Sequence, residues 1–340
     1  MSALEPRANP DLVGHAQAVA ALAESCRTGR LHHAWLLTGP PGIGKATLAY
    51  RFARALLAGS PEPTLFVPPA SPVFRRVAAG SHADLITVER AWDARRQRLQ
   101  GEIVVDTVRG IAEFLHLTPV EGGWRVVGVD GTEMLNRQAA NALLKVLEEP
   151  PARAILLLVC AAPGQLLPTI RSRCRRLRLQ PLTPAETEQV LAGTLPDSTA
   201  EMRKRLAHVA AGSPGRALAL AEGRGMELAA LAEQVLTELP ETDLARMHAV
   251  ADALGRDEDA LGLFLEHLCA GVAAAVRAGA RGQADAAQRK LLASRPLDAW
   301  VEVWQGLCRL RDDTEALHLE RRQAILTAIR MLADTAPRVS

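Results

Sequence analysis

Cysteines are few in this sequence, and no arrangement of them suits a zinc site. The five are odd in number, widely spaced and never placed as a C-x-x-C pair: they are Cys26, Cys160, Cys174, Cys269 and Cys308. This spacing disfavours a disulfide framework and also a tetrahedral zinc site, whose ligands usually come in closely spaced pairs. We therefore expect a reducing compartment, the cytoplasm, and no bound zinc.

The sequence also lacks the apolar runs that export or membrane insertion requires. Charged residues interrupt the first 30 positions, so no apolar segment of a signal peptide is predicted there. No later stretch suits a transmembrane helix. We expect a protein without a membrane partner.

An excess of charge of one sign is missing as well. The net charge is +2, which is too small for a chain-wide attraction to nucleic acid. Any contact with DNA must therefore come from local clusters.

Two such clusters of arginine are present. One has five arginines within residues 171–178, and the other consists of Arg90, Arg95, Arg96 and Arg98. Taken alone, the first is consistent with a solvated basic edge or with an arginine that serves a neighbouring active site. For the second we favour solvated side chains over contacts with a phosphate backbone.

The length and periodicity of the chain indicate several domains. A chain of 340 residues exceeds the size at which one core usually keeps growing, so two or three domains are expected. Helical periods alternate with short apolar runs up to about residue 180, which is typical of a parallel α/β sheet with crossover helices. The predicted strands are residues 34–38, 84–88, 125–129 and 154–160.

Breaks in this pattern give the predicted boundaries. A proline-rich excursion over residues 58–82 leaves the sheet and is predicted to be a surface insertion. Thr183 and Pro184 suit the start of a new helix, because threonine caps and proline opens helices. Ser213 and Pro214 likewise suit the cap and the start of another helix. Further along, helix breaks are expected near Pro240, Gly255 and Pro296. We predict an α/β domain over residues 1–180, a small helical domain over 181–225 and a helical bundle over 226–340.

Residues 39–47 read GPPGIGKAT, between an apolar strand and an amphipathic helix. In the pattern G-x-x-x-x-G-K-S/T, backbone N–H groups surround phosphates, the lysine reaches the terminal phosphates and the hydroxyl binds magnesium. Gly39, Gly44 and Lys45 fit this pattern, whereas Ala46 stands where the hydroxyl belongs. The sequence therefore predicts a phosphate-binding loop (P-loop) that lacks one magnesium ligand.

Other parts of a nucleotide hydrolase are also missing. Asp130 follows the third predicted strand and could hold a metal-bound water, but the next residue, Gly131, cannot act as a base. The end of the fourth strand, residues 160–162, has no Ser, Thr or Asn to contact the terminal phosphate. Loss of a positioned base lowers a rate about 100- to 10,000-fold, so any hydrolysis should be very slow.

Two other functions remain open from the residues. In a working ATPase, Thr47 would replace Ala46 and Glu133 would replace the missing base. This alternative predicts magnesium-dependent turnover that is lost on Lys45→Ala. A small-molecule kinase can use a P-loop without the glutamate, although no constellation of acceptor-binding residues is evident.

Several segments together give a specific resemblance to a known family. The chain resembles the AAA+ clamp-loader subunits of bacterial DNA polymerase III over most of its length. The segments that carry the resemblance are LVGH (12–15), HAWLLTGPPGIGK (33–45), NALLKVLEEPP (141–151), LPTIRSRC (167–174) and GSPGR (212–216).

The resemblance implies a fold and a set of site residues. The fold is an AAA+ P-loop domain with a parallel sheet, a small helical lid and an all-helical collar. Ser172-Arg173-Cys174 matches the family's trans-acting finger motif, so Arg173 is the candidate arginine finger, and Arg216 matches the second sensor position. The implied nucleotide site is degenerate and consists of Gly39, Gly42, Gly44, Lys45, Ala46, Thr47, Asp130 and Arg216.

The resemblance also implies partners and cofactors. We expect a non-hydrolysing stator that joins gamma/tau and delta subunits in a five-subunit ring, which closes a sliding clamp on primed DNA. No cofactor is required, weak binding of ATP or ADP is possible, and no metal is expected. Many relatives carry a four-cysteine zinc module after the P-loop helix, but no cysteine lies between Cys26 and Cys160.

We predict that the purified protein contains no stoichiometric zinc, because the segment that would hold it has no cysteine ligands. Metal analysis by mass spectrometry after exhaustive dialysis checks this expectation. About one zinc per chain would contradict it.

Overall fold

The computed structural model describes residues 5–59, 62–93, 98–121, 123–239, 244–254, 258–293, 295–317 and 319–335. The chain forms two compact units, Met1–Leu218 and Ala219–Ser340. The finer division at residues 180 and 225 stays a prediction.

A five-stranded parallel sheet forms the centre of the first unit. Its strands, in chain order, are β1 Ala34–Thr38, β2 Leu85–Val88, β5 Arg125–Asp130, β6 Ala154–Cys160 and β7 Arg175–Arg178, arranged as β2-β5-β6-β1-β7. A separate two-stranded hairpin pairs β3 Trp92–Asp93 with β4 Arg98–Leu99 in antiparallel fashion. The parallel sheet predicted from the sequence is confirmed.

Helices surround the sheet and follow it in the chain. In the first unit these are α1 Ala16–Arg27, α2 Lys45–Leu57, α3 Pro72–Ala78, α4 Val105–His116, α5 Arg137–Glu148, α6 Pro168–Ser172, α7 Pro184–Thr194, α8 Ala200–Val209 and α9 Pro214–Ala221, which extends three residues past Leu218. Apolar clusters cover both faces of the sheet, one built around Phe52 and Trp35 and the other around Leu143 and Leu158. This double cover explains why β1 and β6 are buried along their whole length.

The four predicted strands are found with small shifts, but β7 was not predicted. The sequence reading of β6 as the last strand was wrong. β7 reads Arg-Arg-Leu-Arg, with one apolar residue, and it occupies an edge of the sheet, where charged side chains remain in solvent. Arg175 places its guanidinium carbon 4.9 Å from the centre of the Trp35 ring, so a basic residue here covers part of the core.

The surface position predicted for residues 58–82 is only partly correct. The segment contains α3, and it buries Leu65, Val67, Phe74 and Val77. Residues 60 and 61, one of which is a proline of this segment, lie outside the described residues. The segment is thus an excursion whose inner side belongs to the core.

Arg54 of α2 anchors the N-terminal segment and this excursion. Its side chain is 2% exposed, and its two terminal nitrogens donate to the carbonyls of Arg7 and Asn9 at 2.9 and 2.8 Å. The guanidinium carbon lies 4.5 Å from the centre of the Phe74 ring. Burial lowers the pKa of Arg54 to about 10, so the group remains charged at neutral pH.

Arg51, one turn earlier on α2, makes similar contacts. Its Nε donates to the carbonyl of Thr64, and its Nη1 donates to the carbonyl of Pro10, both at 3.0 Å. Two arginines therefore bind carbonyls from both segments.

The second unit is entirely helical in its described residues. It contains α10 Gly225–Glu238, α11 Leu244–Leu254, α12 Glu258–Ala280, α13 Ala286–Leu292, α14 Leu297–Leu317 and α15 Arg321–Thr335. One apolar cluster joins them, with Phe264, Trp300 and Ile329 fully buried. Two expected helix breaks, Pro240 and Gly255, lie outside the described residues, whereas Pro296 separates α13 from α14.

One helix corrects the expectation that no stretch suits a membrane span. Within α12, residues 260–280 are long and apolar enough by length and composition alone, with a mean hydropathy of 1.4. Half of that stretch is buried inside the unit, as in the core helix of a bundle. Length and composition therefore do not separate this core helix from a membrane span.

The second basic cluster is only partly described. Arg90 precedes β3, and Arg98 begins β4, while Arg95 and Arg96 lie outside the described residues. The interpretation of this cluster as solvated side chains stays a prediction.

We predict that Arg54→Met lowers the free energy of unfolding by about 2 to 4 kcal/mol, because two partly buried carbonyls lose a charged donor. Urea denaturation followed by circular dichroism measures the change. Arg27→Met is the matched control, since Arg27 is exposed and pairs only with Glu24 on its own helix. A loss below about 0.5 kcal/mol for Arg54→Met would contradict the anchoring role.

Candidate functional site

The P-loop connects the end of β1 to the start of α2. Gly39, Gly42 and Gly44 have φ values of 150°, 73° and 99°, which side chains with a Cβ rarely adopt. Gly42 also lies against the start of α9, where a Cβ would collide with the Ser213 hydroxyl. The glycines of the motif are therefore required by backbone conformation and by close contact.

Lys45 turns back onto the loop from which it starts. Its Nζ donates to the carbonyls of Gly39 and Pro40 at 2.8 and 2.6 Å, and the residue is 5% exposed. Burial lowers the pKa of Lys45, against the opposing attraction of Glu133 and Asp130. The lysine thus lies in the site, where its ammonium group stabilises the loop itself.

Two other segments donate to the remaining carbonyls of the P-loop. The Ser213 hydroxyl donates to the carbonyl of Pro41, and the backbone N–H of Gly215 donates to the carbonyl of Gly42, both at 2.9 Å. His15 Nε2 lies 2.7 Å from the carbonyl of Ile43 and must carry the proton, because a carbonyl can only accept. With the helical bond from Leu48 to Gly44, every carbonyl from residue 39 to residue 44 accepts a hydrogen bond.

Arg216, the candidate second sensor, lies beside the P-loop at the start of α9. Its backbone N–H donates to the Ser213 hydroxyl at 3.2 Å, which caps α9. The Cα of Gly42 and a Cβ placed on Gly215 would be only 2.8 Å apart. The start of α9 therefore touches the loop backbone directly.

Ala46 and Asp130 line the same groove between α2 and the sheet, together with Tyr50 and Glu89. Asp130 is an exposed residue at the end of β5. Partial loss of hydration of its carboxyl group in the groove nevertheless raises its pKa, and the nearby charge of Lys45 opposes that shift. Ala46 contributes no oxygen to the groove.

Thr47 does not line this groove. One residue along a helix turns the side chain by about 100°, so its hydroxyl faces away from the position of the Ala46 methyl. Thr47 therefore does not replace the missing magnesium ligand in this conformation.

Glu133 folds back toward the sheet through the short helical turn Thr132–Met134. Its Oε1 accepts a hydrogen bond from the backbone N–H of Ala161 at 2.8 Å, and its Oε2 is buried without a hydrogen-bond partner. Burial, with the nearby Glu133 carboxylate, raises the pKa of the Cys160 thiol to about 12. Glu133 thus fixes the end of β6.

Arg173 and the P-loop lie at opposite ends of the strands of the sheet. β7 begins at Arg175, which pairs with Trp35 in β1, whereas the P-loop follows Thr38 at the other end of β1. From Trp35 to Gly39 is four residues, or about 13 Å at 3.3 Å per residue, and Arg173 precedes β7. The structure therefore does not bring the candidate finger together with the chain's own P-loop.

Two groups of the chain hold the Arg173 guanidinium. Nη2 forms an ion pair with Glu148 Oε1 at 2.8 Å, and Nη1 donates to the carbonyl of Thr169 at 3.2 Å. Both charged side chains keep solvent contact, with 36% of Arg173 and 49% of Glu148 exposed. The arginine is therefore accessible from outside the chain.

The sequence reasoning missed three residues of these sites. His15 and Glu148 lie within the segments that carry the family resemblance, and Ser213 was predicted only as a helix cap. No sequence signal links these residues to their partners, because each pair is far apart in the chain. The separation is 28 positions for His15 and Ile43, 25 for Glu148 and Arg173, and 172 for Ser213 and Pro41. Among the described residues, no group of three or more His, Cys, Asp or Glu side chains could hold a metal ion.

Comparisons with known proteins identify the family of the chain. The family model described as DNA polymerase III, delta subunit, matches residues 14–183, which is half of the chain. DNA polymerase III subunit delta prime of Pseudomonas aeruginosa is 38% identical over 182 residues, which cover 54% of this chain and 53% of that protein. The Escherichia coli subunit delta prime is 36% identical over 204 residues, covering 59% and 58%.

A tau subunit is also similar to this chain. DNA polymerase III subunit tau of Salmonella typhimurium is 30% identical over 262 residues, which cover 74% of this chain and 39% of that protein. The matched regions span a little over half the length of the two delta prime relatives. Since the family model covers half of the chain and the delta prime relatives match across it, the chain belongs to the DNA polymerase III delta prime family of AAA+ clamp-loader subunits.

Proposed function

We propose that this chain is the non-hydrolysing stator of a DNA polymerase III clamp loader, in which it donates Arg173 in trans. Its partners in this proposal are gamma/tau and delta subunits in a five-subunit cytoplasmic ring. The assembly would close a sliding clamp on primed DNA, and this chain would position its neighbours without turnover of its own.

The separation of Arg173 from the P-loop is the observation that carries the proposal. The two lie at opposite ends of the strands of one parallel sheet, at least about 13 Å apart along the strands. An arginine finger must contact the phosphate at which charge develops. An exposed arginine that is remote from its own nucleotide site is suited to the nucleotide of a neighbouring subunit.

The chemistry at the P-loop supports the absence of hydrolysis. Ala46 supplies no magnesium ligand, Gly131 supplies no base, and Glu133 already binds the backbone of Ala161. These deficits concern separate steps of the reaction, so restoring one of them would not restore turnover.

The same contacts support weak nucleotide binding at most. A phosphate that engaged Lys45 would compete with its two hydrogen bonds to Gly39 and Pro40. No cofactor is required for a stator, and any ATP or ADP bound here would be held by backbone N–H groups and Lys45 rather than through magnesium. In a motor subunit with an intact site, the lysine must instead reach the phosphates and a hydroxyl must bind magnesium.

Similarity to the tau relative leaves an active motor as the second candidate. In that case Thr47 and Glu133 would supply the missing groups. Thr47 lies on another face of α2 than Ala46, and Glu133 has a structural partner, so both would have to move. The stator is therefore the better supported function.

We predict that Arg173→Ala leaves assembly intact and removes the turnover of the one site that this finger serves. Removal of a finger slows a site about 1,000-fold or more, so the total ATPase should fall by that site's share. The measurement uses the reconstituted complex with clamp and primed DNA, after equal assembly is verified by gel filtration.

Arg176→Ala is the matched control, because Arg176 is an exposed arginine of β7 only three positions away. It should leave turnover unchanged. Equal ATPase of the wild-type and Arg173→Ala complexes would refute the finger role and leave scaffolding as this chain's contribution.

A further inference from the structure

The end of α5 contains an acidic pair that the proposed function does not use. α5 ends at Glu148, followed by Glu149, Pro150 and Pro151. The segment belongs to the family resemblance, but it lies far from the P-loop along the chain. In the folded chain this segment lies beside the candidate finger, because Glu148 Oε1 is 2.8 Å from Arg173 Nη2.

Stability does not account for this contact. An ion pair in which both side chains are this exposed contributes little to folding, because water screens it. A carboxylate at the C-terminal end of a helix also faces the negative end of the helix dipole. Glu148 is thus in an electrostatically poor position for its own helix, and the nearby guanidinium compensates for it.

The contact does restrict the arginine. A free arginine side chain samples many rotamers, whereas Arg173 is held from two sides, by the Glu148 carboxylate and by the carbonyl of Thr169 in α6. These contacts use one N–H on each terminal nitrogen. A guanidinium has five N–H donors, so three remain for a phosphate.

We propose that Glu148 is a positioning residue for Arg173, which it holds in an orientation that presents the remaining donors to a neighbouring subunit. This inference rests on the proposed finger role. Glu148 itself touches no nucleotide in this proposal. Its effect is the pre-orientation of a group whose interaction matters in the transition state.

The test is a double-mutant cycle in the reconstituted complex with ATP, clamp and primed DNA. The variants are Glu148→Ala, Arg173→Ala and their combination, with Glu148→Gln as the conservative variant. Glu149→Ala is the matched control, because it removes another exposed carboxylate one position away. Gel filtration and thermal melting verify assembly and folding of each complex.

We expect Glu148→Ala to reproduce about half or more of the loss caused by Arg173→Ala, through kcat with KM for ATP unchanged. The change should add nothing in the Arg173→Ala background, because the two residues act as one unit. Glu148→Gln should retain more activity than Glu148→Ala, since its amide oxygen still accepts a hydrogen bond. Glu149→Ala should behave as wild type.

Three results would overturn the inference, and they are distinguishable. If Arg173→Ala has no effect, the finger role fails and the positioning role fails with it. If Arg173→Ala lowers turnover but Glu148→Ala matches Glu149→Ala, only the positioning role fails. If Glu148→Ala lowers turnover equally with and without Arg173, its effect is structural and independent of the finger.

Discussion

The hydrogen bonds to the carbonyls of the P-loop are the constraint on which this site depends. Lys45 binds two of them, His15 binds a third, and Ser213 with Gly215 binds two more. The loop is therefore tied to the N-terminal segment and to the start of α9 as well as to its own helix. Because each of these hydrogen bonds contributes to stability, the donors stabilise the loop without any nucleotide.

The parallel sheet determines where Arg173 lies relative to the P-loop. All strands run in one direction, so the P-loop lies at their carboxyl ends, and the residues just before β7 lie at their amino ends. The P-loop, with Lys45 bound to its own carbonyls, therefore lies at one end of the strands, and the accessible Arg173 lies near the other end.

The sequence was sufficient for elements that depend on local pattern. Apolar runs predicted β1 and β6, glycine spacing predicted the P-loop, and Ser213-Pro214 predicted the start of α9. β7 was missed because its arginines carry no alternating pattern, and an edge strand depends on its neighbour for hydrogen bonds. The partners of His15, Glu148 and Ser213 could not be predicted, because these contacts join positions that only the folded chain brings together.

The most direct test of the account is a calorimetric titration of the full chain with ATP, with magnesium and with EDTA. Since Ala46 provides no metal ligand and Lys45 is occupied by the loop, we predict weak binding whose affinity changes less than about threefold between the two conditions. Lys45→Ala should then weaken binding in both. An affinity that rises tenfold or more with magnesium would contradict the account, because it would require a functional metal site beside Asp130.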